Sequence, residues 1–207
     1  PYIAYNKFFS KYTIFNNIDG FELKTVDKRY YPYASIGAHI IGYIGKASKK
    51  DMSKNIISKH TKRIGKSGLE QYYNDTLQGS LGYKKVKVNA LNKIVKVIEE
   101  KQPLANNDIV TTIDIRLQEY IHNLFTNNAK NAVDKRAGAV IVMDIKNGEI
   151  LASGSFPEYD SNIFVNGIST KEWSKIINDF NHPFTNKIIN GLYPPGSVVK
   201  MGIALSF

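Results

Sequence analysis

The chain of 207 residues contains no cysteine. Disulfide cross-links, thiolate nucleophiles and cysteine-held zinc are therefore excluded, and the composition fits an oxidising compartment. No apolar run is long enough to cross a bilayer, and the opening residues do not form a charged–apolar–small secretion signal. Either the protein is cytosolic or its targeting or anchor segment lies outside these residues. Arginine is scarce: four of the 28 basic residues, against 18 acidic ones, for a net charge of +10. The lysines are scattered, and no RNA- or DNA-binding signature accompanies them. The charge reads as a solvated basic surface rather than a nucleic-acid footprint. The four histidines, His39, His60, His122 and His182, stand alone, with no second histidine at ligand spacing, so no metal site or other cofactor is expected.

Against these absences, 43% of residues are hydrophobic and 12% aromatic, enough for a packed core. Phe21–Tyr31 partly alternates and reads as a strand stopped by Pro32. Ser35 is placed to cap a short helix, 36–43, closed by Gly42 and Gly45. The polar stretch from Lys46 to Arg63 allows one short helix behind Ser48-x-x-Asp51. Ser67-x-x-Glu70 predicts a capping box for a helix with the stripe Leu69, Tyr72, Tyr73 and Leu77, ended by Gly79. Residues 82–90 and 94–99 form a hairpin around Leu91–Lys93. Lys101–Asn107 is the best linker, so a domain boundary is placed there, giving domains 1–105 and 106–207.

Beyond it, Asp108–Ile113 reads as a strand, and Asp114 caps a helix with the stripe Leu117, Tyr120, Ile121, Leu124 and Phe125, with Val133 as a candidate continuation. Ala139–Asp144 and Glu149–Ser153 pair across the Asn147-Gly148 turn. Trp173, Ile176, Ile177 and Phe180 mark a further helix. The fold class is α+β, with helices packed on an antiparallel sheet.

Chemistry is concentrated near the end, in Gly191-Leu-Tyr-Pro-Pro-Gly-Ser197-Val-Val-Lys200. The two prolines favour an extended approach, Gly196 permits a sharp turn, and Ser197 falls in the first turn of a helix. Lys200, three residues on, shares its face and can reach the Ser197 hydroxyl, the pattern of an activated nucleophile. With 14 serines and 24 lysines, Ser-x-x-Lys should arise about 1.6 times by chance; it arises once, so the tetrad alone means an ordinary helix start. Gly65-Lys66-Ser67 is not a phosphate loop, because His60 stands where that loop needs its first glycine and no strand precedes it.

The wider string Tyr-Pro-Pro-Gly-Ser-x-x-Lys resembles the active-site motif of penicillin-binding proteins, especially class B transpeptidases. Further strings stand in the same order: Arg29-Tyr-Tyr-Pro-Tyr-Ala34, Ala38-His-Ile-Ile-Gly-Tyr-Ile-Gly45, Gly65-Lys-Ser-Gly-Leu-Glu-Gln-Tyr-Tyr73, Val142-Met-Asp-Ile-Lys-Asn-Gly-Glu-Ile-Leu-Ala152 and Ser155-Phe-Pro-Glu-Tyr-Asp160. Together they resemble class B proteins of the penicillin-binding protein 2 type. The resemblance implies an elongated, β-rich, non-catalytic pedestal followed by the first part of a transpeptidase domain.

It also implies Ser197 as nucleophile toward D-Ala-D-Ala stem peptides of peptidoglycan, with Lys200 as the candidate general base and Ser197's own N–H as half of an oxyanion hole. β-Lactams would acylate the same serine. Implied partners are an MreC-type scaffold and a RodA-type glycosyltransferase, docked through the pedestal, with the protein in the inner membrane and its catalytic part in the periplasm. The family's Ser-x-Asn and Lys-Thr/Ser-Gly motifs must follow the nucleophile, and only Met201–Phe207 follows it here. Ser53-Lys-Asn55 and Lys66-Ser-Gly68 precede it and are assigned no catalytic role. The polypeptide is thus expected to be a fragment, inactive by itself.

Overall fold

The computed structural model describes residues 28–104, 107–127 and 137–206. Most of the strand expected at Phe21–Tyr31 lies outside them, as does Val133; Lys28–Tyr31 carries no strand. The first element, α1 (Ala38–Ile41), is shorter than the expected 36–43 helix, because Gly37 and Gly42 take left-handed φ of 71° and 79° at its two ends. Gly45, expected as a helix stop, lies instead in β1 (Ile44–Lys46), which pairs antiparallel with β2 (Arg63–Gly65).

Between those strands the expected single helix is two, α2 (Lys49–Lys54) and α3 (Ile56–Thr61). Asn55 divides them with extended backbone: its N–H closes α2 on Asp51 O while its side chain accepts from Ser58 N to open α3. The Ser48–Asp51 capping box is present as expected. The next expected helix is also split, into α4 (Gly68–Tyr72) and α5 (Asn74–Gln78), with Gly79 ending the second at φ 66°. Ser67 makes no side-chain cap there. Glu70 does not reach back to it, because its carboxylate, 4% exposed, is taken by Arg29 Nε at 2.5 Å and Tyr31 Oη at 3.2 Å.

The hairpin β3 (Tyr83–Val88) and β4 (Ile94–Lys101) forms as read, with Asn89 Oδ1 accepting from Leu91 N and Lys93 N at its tip. Both strands are largely exposed.

Asp114 caps α6 (Ile115–Asn127) as anticipated, accepting from the Arg116 and Leu117 amides. The residues before it form no strand. Thr112 instead donates its hydroxyl to Ile150 O, and Asp114 N bonds Leu151 O, so the segment follows its neighbour without a ladder. That neighbour is β6 (Ile150–Phe156), paired antiparallel with β5 (Gly138–Met143) through a turn in which Gly148 has φ 78°. Ile121, Ala152 and Phe156 form the buried centre of this layer, with Leu117, Phe125, Val140 and Val142 around them, and the Phe125 and Phe156 rings stack at 4.1 Å. Helix on antiparallel sheet is the α+β arrangement the sequence implied.

A second core joins early and late parts of the chain. Ala38, Tyr159 and Phe164 are buried together, with Tyr43, Trp173, Ile176 and Phe184 packed on them. Tyr43 stacks on Phe164 at 4.1 Å, and Trp173 meets Phe184 edge-on at 5.0 Å. Trp173 and Ile176 come from α8 (Thr170–Ile177), which Ser169 and Glu172 close with a capping box; Ile177 and Phe180 face outward. Polar bonds complete the seam. Asn162, opening α7 (Asn162–Val165), exchanges two hydrogen bonds with the Tyr31 backbone, and Ser161 Oγ donates to Gly42 O at 2.9 Å.

Candidate active site around Ser197

Ser197 lies in a 3₁₀ turn, Gly196–Val198, that runs directly into α10 (Val199–Leu205). Gly196 makes the sharp turn with φ 56°, and nothing approaches the space a Cβ would occupy there. Pro194 is outside any element, but Pro195 has already turned helical (φ −66°, ψ −20°), so the extended approach ends one residue earlier than expected. Every residue from Leu192 to Ser206 is exposed, including Val198 at 86% and Met201 at 77%. Among the described residues, neither the Ser197 hydroxyl nor the Lys200 amine makes a hydrogen bond or ion pair. The structure therefore presents the two groups on one short helical segment without joining them.

What fixes the approach to Ser197 is more fully built. The segment springs from α9 (Lys187–Asn190), which packs beside β5 and β6 and is capped by Asn186 Oδ1 on the Ile188 and Ile189 amides. The turn before it is held from two sides. From β6, the fully buried Ser155 donates its hydroxyl to Thr185 O at 3.1 Å and accepts from Lys187 N at 2.9 Å. From α1, His39 Nε2 meets Pro183 O at 2.9 Å; a carbonyl only accepts, so Nε2 carries the proton. Burial, with nearby Lys187 adding to it against the Pro183 bond, pushes His39 down to about 4, so the ring is neutral at pH 7. This agrees with a packed structural histidine rather than a base: its ring sits edge-on to Tyr159 at 5.0 Å. Burial pushes the Tyr159 hydroxyl up to about 12, so it too is un-ionised.

His122 is also engaged. Its Nδ1 lies 2.6 Å from Glu158 Oε2, and Glu158 Oε1 accepts from Gly37 N at 2.9 Å, with the Glu158 side chain wholly out of solvent. Among the described residues no group of three or more His, Cys, Asp or Glu could hold a metal. Lys66-Ser-Gly68, assigned no catalytic role, takes part in packing and pairing within the early part of the chain. Lys66 Nζ pairs with Asp51 at 2.6 Å, holding the Asp51 carboxyl well below the usual carboxylate range, and Gly68 sits where a Cβ would lie 2.4 Å from Ile40 O. Ser155, Glu158 and Asn162 were not picked out by sequence reasoning. The available signal was small Gly154 and Ser155 at the end of an apolar strand, where close approach of another backbone is the usual reason. Buried Gln118, bonded to both Ser153 N and Ser153 O, was equally missed because it sits within an amphipathic helix pattern.

Comparison with known proteins agrees with this arrangement. Residues 3–111 match the Penicillin-binding Protein dimerisation domain, and residues 138–206 the Penicillin binding protein transpeptidase domain. The chain is 40% identical over 195 residues to the peptidoglycan D,D-transpeptidase MrdA of Escherichia coli K12, covering 90% of this chain and 29% of that protein. It is 34% identical to penicillin-binding protein 3 of Bacillus subtilis, across 89% of this chain and 26% of the relative. The chain thus spans less than a third of the length of these curated relatives. Among solved structures, the complex of penicillin-binding protein 2 and MreC from Helicobacter pylori superposes with a TM-score of 0.87 at 41% identity, covering all of this chain and 37% of that one. The same Helicobacter pylori protein by itself gives 0.78 at 41% identity, covering all of this chain and 38% of that one. The ordered strings, the α+β architecture and the two domain matches agree, and the chain belongs to the penicillin-binding protein family.

Proposed function

We propose that the protein containing this chain is a peptidoglycan D,D-transpeptidase of the cell-elongation type, with residues 1–105 as its pedestal and 106–207 as the start of its transpeptidase domain. The observation that carries the reading is the position of Ser197. It stands at the exposed junction of a tight glycine turn and a helix, within the stretch that matches the transpeptidase domain. In this reading Ser197 Oγ attacks the penultimate D-Ala carbonyl of a stem peptide and D-Ala departs. An amine of a second stem then resolves the acyl-enzyme into a cross-link. Lys200, one helical turn on, takes the hydroxyl proton and returns it to the leaving amine. β-Lactams acylate the same oxygen. The catalytic part lies in the periplasm, with the protein held in the inner membrane; no described helix is long and apolar enough to cross a bilayer.

The test is labelling by a fluorescent penicillin. The full-length protein should be acylated stoichiometrically and Ser197→Ala not at all; an unlabelled full-length protein ends the proposal. The 207 residues by themselves should not label, because among the described residues no group engages the Ser197 or Lys200 side chain to preorganise it for attack.

A second reading concerns the pedestal as a docking module for an MreC-type scaffold and a RodA-type glycosyltransferase. What supports it is that a solved structure on which the whole chain superposes is that of a penicillin-binding protein 2 in complex with MreC. Binding to an MreC-type protein should survive deletion of residues 106–207 and resist high salt; loss in either case would refute it.

A further inference from the structure

The seam between the early and late parts of the chain meets the segment that carries Ser197 at the turn from Pro183 to Lys187, where Phe184 also packs against Tyr43 and Trp173. Three polar contacts hold it. His39 Nε2–H donates to Pro183 O from α1; Ser155 Oγ donates to Thr185 O and accepts from Lys187 N from β6. Ser155 is fully buried, and its hydroxyl is used as donor and acceptor at once, so alanine, glycine or valine there would leave Thr185 O and Lys187 N without this partner. Lys187 N is among the first amides of α9, which has no earlier carbonyl to bond within its own helix. Ser155 therefore fixes where α9 begins, and α9 ends at Asn190, seven residues before Ser197.

We infer that His39 and Ser155 form a two-sided clamp on the Pro183–Lys187 turn that positions Ser197 for acylation, so that one of its two jaws is supplied by the pedestal. The inference rests on Ser197 being the nucleophile. His39 and Ser155 touch no reacting atom and act through the turn, as positioning residues. The clamp also gives the pedestal a direct mechanical hold on the active-site segment, because α1 is packed tightly on residues 67–68: a Cβ on Gly68 would lie 2.4 Å from Ile40 O, and one on Gly42 1.9 Å from Ser67 O.

The test uses the full-length protein with His39→Ala, His39→Gln and Ser155→Ala. Gln keeps an N–H donor where His39 Nε2 stood. For each variant, the first-order acylation rate constant by a fluorescent penicillin is measured per folded molecule, together with hydrogen exchange of peptides spanning 184–200. The expected result is a roughly tenfold slower acylation step with little change in the preceding binding constant for both alanine variants, recovered by His39→Gln. Amide exchange at 187–191 should rise in the alanine variants. Wild-type rates and wild-type exchange in the alanine variants overturn the clamp. Should Ser155→Ala fail to fold, the His39 pair decides. Should wild type not label at all, the reading of Ser197 falls, while the exchange data still judge the clamp.

Discussion

Protonating His39 should destabilise this protein by an amount that the structure sets. The ring is packed against Tyr159, donates Nε2–H to Pro183 O and lies near Lys187; the charged form is disfavoured chiefly by burial, which moves the group from 6.5 to about 4. The direction follows from proton linkage: the unfolded chain takes up this proton at higher pH than the folded one. His39's neutral state thus contributes stability that is fully present above pH 6.5 and lost as the pH falls toward 4. At about 1.4 kcal/mol per pH unit, the drop from 6.5 to about 4 amounts to about 3 kcal/mol, most of it gone by pH 4.5. Carboxylates also titrate in this window, Asp51 among those held low, so the comparison must be with a variant that differs only at the ring. His39→Gln keeps the donor to Pro183 O and cannot titrate. Urea denaturation at pH 7.5 and 4.5 should show wild type losing about 2–3 kcal/mol more than His39→Gln across that interval. Parallel losses would mean that the imidazole is solvated in the folded state and that the second core is not sealed at this point.

Other outcomes follow from the same seam. Glu158→Ala leaves two buried donors, Gly37 N–H and the His122 ring, without acceptors and should cost on the order of 3 kcal/mol in denaturation; Glu158→Gln, which retains an acceptor for Gly37, should cost less. Gly42→Ala should abolish folding, since φ is 79° and the new Cβ would lie 1.9 Å from Ser67 O. Gly148→Ala, with φ 78° but open space around it, should cost only about 1–2 kcal/mol, and a circular-dichroism melt separates the two.

Local chemistry was legible in the sequence wherever it decided the outcome alone. Ser48 with Asp51, Asp114, Gly148 and the 83–101 hairpin all act through neighbours a few residues away, and each appears as read. Two of the errors share a cause. Glu70 was read as a capping partner of Ser67 but is held by Arg29, 41 residues away, and Thr112 was read in a strand but spends its hydroxyl on Ile150 O. Long-range acceptors outbid local ones at those positions, and a sequence does not display them. The candidate site divides likewise. Ser197 and Lys200 are visible as a motif, and their turn follows from Gly196. The groups that hold the approach, His39, Ser155 and Glu158, become meaningful only when residues 37–42 and 153–187 are brought together.

The exposed ribbon of β3 and β4 has a bearing on solution behaviour. Among the described residues its two outer edges pair with no further strand, and Val86, Val88, Ile94 and Val97 line one face. Such a ribbon is a template for strand-to-strand aggregation. Lys87 stands directly opposite Lys96, a juxtaposition that weakens the hairpin itself, whereas Lys84 is paired with Glu100 at 3.1 Å and Lys85 stands opposite Glu99. Lys87 and Lys96 give up a little hairpin stability and place like charge on the ribbon, so acetylating them, or shielding them with concentrated salt, should promote self-association along it.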